Sequence, residues 1–322
     1  MPKSAALFMP EALESRLLFT KYAIQDLGPI TSSTDIVQFI SSSFVAGSVV
    51  ADGLQRAYIA PAASGKEKDL PLLSGYKNAQ ALGVNTGGIL VGDSFVVGGS
   101  ATEATEWTEA GKAIDLGRGQ ASAINTAGEI VGTSVDKHGN EFAAIFGKTT
   151  QTLSSNISNA YGVNDDGVIV GQVEQTGGAF NPFVYKKGTL KVLDPGVEDG
   201  QALAINNESV IVGQIDSLAV MWVNYKRTNL PGLFPSSEVL LSTATGINDS
   251  GTIVGQTVTG MANGNYATFW SGGSAFNLNH YIKGGTNGWD LEDAISINDA
   301  GQIVGTGVLN GAAHSFLLTP VK

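Results

Sequence analysis

The sequence predicts an all-β protein, a seven-bladed β-propeller closed by its N-terminal strand, and three observations predict it. A strand-like stretch repeatedly ends in two apolar residues and a glycine. Its clearest copies are Ile130-Val131-Gly132, Ile169-Val170-Gly171, Ile211-Val212-Gly213, Ile253-Val254-Gly255 and Ile303-Val304-Gly305, with Leu90-Val91-Gly92 close to them and Val45-Ala46-Gly47 a worn copy. The period, about 40 to 50 residues and filled only by short strand candidates, fits propeller blades rather than helical solenoids. The last repeat stops after its third strand, His314 to Leu318, while a strand without a hairpin partner, Tyr22 to Gly28, stands at the start of the chain. Pairing that strand with the last blade removes the edges that an unclosed ring leaves exposed.

Within each repeat the first strand carries alanine, a variable residue, a small residue, Ile or Val, and asparagine, as in Ala121-Ser122-Ala123-Ile124-Asn125 and Ala244-Thr245-Gly246-Ile247-Asn248. Small residues suit an innermost strand, where blades converge on an axis. The glycine of the beat lets a neighbouring backbone approach. Asn-x-x-Gly joins strands one and two at Asn85, Asn125, Asn164, Asn248 and Asn298, a spacing suited to a type I turn with glycine in the left-handed conformation. In the fifth copy, after Asn206, Ser209 replaces that glycine. Keeping the turn there implies strain of about 1 kcal/mol. In the degenerate first repeat, Ile40 is expected at the asparagine position and Ser43 at the glycine position.

Strand three ends in an aromatic, Trp107, Phe146, Tyr185, Trp222, Trp270 or, in the last copy, Phe316. Strand four ends in Asp-Leu or Asn-Leu, as at Asp69-Leu70-Pro71, Asp115-Leu116-Gly117 and Asn229-Leu230-Pro231. Tyr22–Gly28 ends in the same way, Asp26-Leu27-Gly28, which marks it as a fourth strand. The division is therefore a leader, residues 1–20, and a propeller, residues 21–322.

The net charge of −11 argues against nucleic acid and anionic membrane surfaces, which require a basic footprint. There is no cysteine, hence no disulfide framework and no thiolate metal site. No apolar run reaches the roughly 18 residues of a membrane span. A monomer is expected.

The repeat Ala-x-x-Ile-Asn-x-x-Gly-x-Ile-Val-Gly resembles the HAF-repeat family of extracellular bacterial proteins. The closing stretch carries most of the likeness: Gly288-Trp289-Asp290-Leu291, Ile297-Asn298-Asp299, Gly301-Gln302-Ile303-Val304-Gly305 and His314-Ser315-Phe316-Leu317-Leu318. Leu13-Glu14-Ser15-Arg16-Leu17-Leu18-Phe19 is similar to the LEPR-XLL segment found near the start of secreted and surface proteins, with Ser15 in place of its proline. These resemblances imply a secreted or surface location and transfer no catalytic residue.

Trp289 falls outside the regular aromatic beat, near His280, Tyr281 and Asp290, and these four residues are the candidate ligand contacts. Aromatic and polar groups on one loop suit a glycan or a surface protein. The alternative for Trp289 is a plug in the last blade. The turn asparagines with Asp165, Asp249 and Asp299 offer the oxygen ligands Ca²⁺ favours, although turn chemistry explains them without an ion. No cofactor is otherwise expected. His138, His280 and His314 share no metal-ligand spacing. The sequence favours a non-enzymatic binding module. The alternatives are a propeller hydrolase or lyase acting on extracellular polysaccharide, and a structural envelope protein. Polar groups and raised carboxylate pKa values at one mouth of the channel favour the enzyme.

Overall fold

The computed structural model describes residues 21–30, 36–62, 67–96, 102–261 and 264–321. The expected leader and its Leu13–Phe19 segment lie outside the described residues.

Among the described residues twenty-seven strands follow one another, almost without helix. After β1 (Lys21–Pro29), the first repeat contains β2 (Ile36–Ile40), β3 (Phe44–Ala51), β4 (Leu54–Pro61) and β5 (Lys68–Asp69). The second and third contain β6 (Asn78–Val84), β7 (Leu90–Phe95), β8 (Thr102–Trp107), β9 (Ala113–Ile124), β10 (Ile130–Val135), β11 (Glu141–Phe146) and β12 (Gln151–Thr152). The fourth has β13 (Ser158–Val163), β14 (Ile169–Glu174), β15 (Phe180–Lys186) and β16 (Thr189–Val192). The fifth has β17 (Gly200–Ile205), β18 (Ile211–Ile215), β19 (Leu218–Val223) and β20 (Lys226–Asn229). The sixth has β21 (Val239–Ile247), β22 (Ile253–Thr259), β23 (Asn265–Ser271) and β24 (Ser274–Asn277), followed by a 3-10 turn, Leu278–Tyr281. The seventh has β25 (Trp289–Ile297), β26 (Ile303–Leu309) and β27 (Ala312–Val321).

The fold is an all-β propeller of antiparallel blades. Among the described residues the separate four-stranded blades number five, not the seven expected. The second and third repeats instead share one seven-stranded sheet, because β9 runs without a break from β8 to β10. Elsewhere a connecting segment separates the fourth strand of one repeat from the first of the next. At Gly117-Arg118-Gly119 nothing intervenes.

β1 lies where the sequence placed it, antiparallel to β27 in the sheet β1-β27-β26-β25. Its Asp-Leu-Gly ending has a local cause. The register skips Leu27 between Asp26 and Gly28, and skips Leu116 between Asp115 and Gly117 in β9. Each glycine N–H donates to the preceding aspartate Oδ1, at 2.9 Å from Gly28 and 2.8 Å from Gly117. Both leucines pack on apolar clusters between neighbouring repeats.

The glycine of the beat follows from a second bulge. First strands slip by one residue opposite it, between Ala81 and Gly83, Ala160 and Gly162, Ala202 and Ala204, and their counterparts. The bulge pushes a first-strand carbonyl toward the second strand. A Cβ at Gly92, Gly171 or Gly213 would stand 1.9–2.0 Å from the carbonyl oxygen of Gln80, Asn159 or Gln201. The variable residue of the motif is the one the bulge sets aside.

Two expected alignments shift. Ser41, not Ile40, takes the asparagine place in the first repeat, because its turn is one residue shorter: Ser41 N–H bonds the Phe44 carbonyl, where Asn85 bonds that of Ile89. In the last repeat Phe316 pairs with Gly305, and Leu318 pairs with Ile303 where the other copies have their aromatic. The third-strand tryptophans are core residues with a polar tie. Trp107 Nε1 donates to the Pro71 carbonyl and Trp270 Nε1 to that of Pro231, both at 2.8 Å, so each fastens the fourth-strand ending of the preceding repeat.

Candidate functional site

At one end of the propeller the turn asparagines form a ring. Asn85 Nδ2 donates to the Asn125 carbonyl, Asn125 to Asn164, Asn164 to Asn206, Asn206 to Asn248, and Asn248 to Asn298, at 3.0–3.3 Å. Oδ1 of each accepts the backbone N–H four residues on, as at Val168 and Thr252. The exposed neighbours Thr126, Asp165, Asn207, Asp249 and Asp299 form a second ring, in which each side chain from Asp165 onward accepts the N–H of the preceding repeat. This mouth is therefore held together by hydrogen bonds among its own turns. Among the described residues no group of three His, Cys, Asp or Glu side chains is placed to hold a metal.

The opposite end differs. One rung beyond the beat glycine, the paired residues are polar: Asp93 with Gln80, Thr133 with Gln120, Gln172 with Asn159, Gln214 with Gln201, Gln256 with Thr243, and Thr306 with Asp293. Ser48 holds this place in the first repeat. Three buried side-chain oxygens lack a hydrogen-bond partner among the described residues, Ser48 Oγ, Asp93 Oδ1 and Asp293 Oδ1, and all three belong to this rung. Burial pushes the Asp93 carboxyl up to about 6, against the opposing hydrogen bonds of Gln80 and Gln120. Burial, then the charge of Glu292, pushes Asp293 to about 6. The alternation is legible in the sequence as a polar residue after every beat glycine, a signal that attention to the beat itself passes over.

The expected ligand contacts separate. His280 and Tyr281 line a groove of about 490 Å³ on the outer edge of the sixth repeat, with Lys21, Phe234, Phe276 and Asn277. Trp289 does not join them. It is buried, edge-on to His314 at 5.9 Å and to Phe316 at 6.0 Å, and plugs the last repeat. Asp290 also lies off the groove, within 3.4 Å of Asn279 Nδ2. Phe276 and Tyr281 meet edge to face at 5.8 Å, and both pack on Phe269. Lys21 Nζ donates to the His280 carbonyl at 2.7 Å and sits 5.3 Å from the Tyr281 ring centroid. The groove thus needs the first residue of the closing strand. Phe234 and Phe276 lie outside the motif and carry no sequence signal beyond being aromatic.

No protein-family model matches the sequence, and no curated protein matches it. Solved structures do match, and they define the class as β-propeller. The β-propeller domain of the Trilobed protease from Pyrococcus furiosus, described as having an open velcro topology, aligns with a TM-score of 0.60 at 10% identity, over 93% of this chain and 95% of that one. Oligogalacturonate lyase from Vibrio parahaemolyticus aligns at 0.56 and 11% identity, over 92% and 93%. YCF48 bound to D1 peptide aligns at 0.56 and 10%, over 94% and 96%. Against Pyrococcus horikoshii acylaminoacyl peptidase, with a TM-score of 0.56 at 10% identity, 95% of this chain spans 52% of that one. At such identities the likeness is one of fold. Among the described residues no helix is long and apolar enough to cross a membrane.

Proposed function

We propose that this propeller is a binding module of the HAF-repeat type, secreted or held at the cell surface, which takes a glycan or surface-protein segment in the groove of Lys21, Phe234, Phe276, His280 and Tyr281. The observation that carries the reading is that groove: open, partly aromatic, with a cation and an imidazole at its side. Half-buried rings beside polar groups suit the apolar face of a sugar or an aromatic peptide side chain. We count seven blades in the ring, two of them fused through β9. Seven apolar clusters among the described residues, each drawn from two neighbouring repeats, support the count.

A propeller hydrolase or lyase is the second reading. The buried carboxyls of Asp93 and Asp293 on the polar rung favour it. One experiment separates the two. The protein is incubated with bacterial and environmental polysaccharides and envelope fractions, with and without Ca²⁺, and both retention and glycan chain length are read. Retention of intact glycan, lost in Phe276→Ala and Tyr281→Ala, supports the module. Shortened glycan overturns it in favour of the enzyme. Dependence on Ca²⁺ would give the ring aspartates a role beyond turn chemistry.

A further inference from the structure

We propose a second binding site near the propeller axis, a cleft between the second, third and fourth repeats that takes one unit of a neutral, hydroxyl-rich ligand such as a sugar ring. The cleft holds about 410 Å³ and is lined by Asp93, Arg118, Gln120, Thr133, Glu141 and Asn159, among others. That volume falls within the range of small-molecule sites, about 300–1,000 Å³. The site is distinct from the outer groove and does not depend on it.

The cleft has a cause in the chain. Every other fourth strand is followed by a connecting segment before the next first strand begins. β9 passes directly from one role to the other, so no loop intervenes there. Gly119 makes the passage possible. Its φ is +136°, and a Cβ there would lie 2.0 Å from the Thr133 carbonyl oxygen.

Its polar groups are ordered by one another, with one oxygen left over. Asn159 Nδ2 donates to Thr133 Oγ1 at 3.0 Å and to Glu141 Oε2 at 3.3 Å, and its Oδ1 accepts from Gln172 at 3.1 Å. Exposed Arg118 donates to the Asp136 carbonyl at 3.2 Å. Gln80 and Gln120 bond the Asp93 carboxyl, yet its Oδ1 has no partner among the described residues although the residue is only 3% exposed. A buried carboxylate oxygen without a donor is costly, and a small turn of the Asp93 side chain toward the cleft it lines would let a ligand hydroxyl remove the cost.

The remaining chemistry narrows the class. Amides, hydroxyls and a guanidinium between them donate and accept toward vicinal hydroxyls. Two carboxyls, Asp93 and Glu141, disfavour phosphate and acidic sugars. Among the described residues no trio of metal ligands gathers here.

The test titrates the full chain with methyl glucoside, methyl galactoside, methyl mannoside and galacturonic acid, following backbone amide shifts by NMR. Saturable shifts at Arg118–Gln120 and Thr133 with a neutral glycoside are expected, and weaker ones with galacturonic acid. Asp93→Asn should weaken binding about tenfold, the factor for one charge-assisted hydrogen bond. Arg118→Ala, at an exposed position, should weaken it with the fold intact and serves should Asp93→Asn misfold. Phe276→Ala in the outer groove should leave it unchanged, so failure of one site is read separately from failure of the other. No saturable shift with any neutral glycoside, preference for galacturonic acid, or parental binding in Arg118→Ala overturns the proposal.

Discussion

Asn298 Nδ2 donates to the Ser41 carbonyl oxygen at 2.9 Å and so ties the last repeat to the first across 257 positions of sequence. The same amide holds its own turn, because Asn298 Oδ1 accepts the Gln302 N–H at 2.9 Å. One side chain thus shapes a hairpin and links two repeats. Asn298→Ala removes both bonds and leaves buried backbone groups without partners, at about 1–3 kcal/mol each. A loss of roughly 3 kcal/mol in urea unfolding is expected on that basis. Asn298→Asp keeps the turn acceptor but cannot donate to Ser41, so it should also destabilise. A variant as stable as the parent would mean that the ring is incidental to stability.

Gly171 tests the bulge. A Cβ there would stand 1.9 Å from the Asn159 carbonyl oxygen and 2.8 Å from the Phe183 ring, with backbone on one side and a buried aromatic on the other. Gly171→Ala should cost about 3 kcal/mol or more. Gly260, exposed and with nothing within 4 Å of where a methyl group would stand, is the control, and Gly260→Ala should leave the melting temperature nearly unchanged. Equal behaviour of the two would refute the steric explanation of the beat.

The beat is legible because it answers to constraints internal to each repeat: a bulge that needs glycine, a turn that needs asparagine, a crowded axis that needs small residues. What escapes reading depends on contacts between repeats. The shorter turn at Ser41–Phe44 shifts the asparagine place by one, which counting back from Gly47 misses. The fusion at β9 depends on Gly117-Arg118-Gly119 doing without a loop, and Asp-Leu-Gly there looks like an ordinary strand ending. Trp289 stands out in the sequence because it breaks the aromatic rhythm. It breaks that rhythm by starting a first strand, and its ring goes into the core. Phe234 reaches the groove from the connection between β20 and β21 and Phe276 from strand β24, a coincidence in space that no spacing records.

Ser209 adopts φ +59° in the turn where its counterparts have glycine, and its N–H bonds the Asn206 carbonyl at 3.0 Å as theirs do. This is the strain that the Asn-x-x-Gly pattern predicts for the fifth copy. Ser209→Gly should stabilise the protein by about 1 kcal/mol, the cost of a side chain held in the left-handed region. Thermal and urea unfolding check it. A destabilised variant would mean that the serine side chain contributes more than the strain removes.

The closing strand β1 can be removed as a unit. Deleting residues 21–29 exposes the β27 edge, breaks the antiparallel ladder from Lys21–Val321 to Pro29–His314, and uncovers the core around Tyr22, which is 4% exposed. Ladder bonds at about 1 kcal/mol each, with the apolar area of Tyr22 and Leu27, place the loss above roughly 4 kcal/mol. A synthetic peptide of residues 21–29 should restore part of it. Because Lys21 also lines the outer groove, ligand retention should fall with the deletion and return with the peptide. An unchanged melting temperature after deletion would overturn the closure.

The polar rung makes stability depend on pH in a definite direction. An unfolded aspartate ionises near 3.8, whereas Asp93 and Asp293 in the folded chain do so near 6, so between these values the folded state holds protons that the unfolded state has released. The stability each contributes is complete below the unfolded value and is lost as pH rises through about 6. For Asp93, nearly fully buried, the difference between 3.8 and about 6 corresponds to about 3 kcal/mol. Arg118 and Glu141 share its cleft, and Gln80 and Gln120 bond it directly. The melting temperature should therefore fall between about pH 4 and about pH 6, and Asp93→Asn, which cannot ionise, should flatten much of that slope while raising stability at the upper end. A neutral glycoside bound at Asp93 Oδ1 should protect the parent most strongly where the carboxylate is ionised. Parent and variant melting in parallel across that range would show that Asp93 is not held out of water as its surroundings indicate.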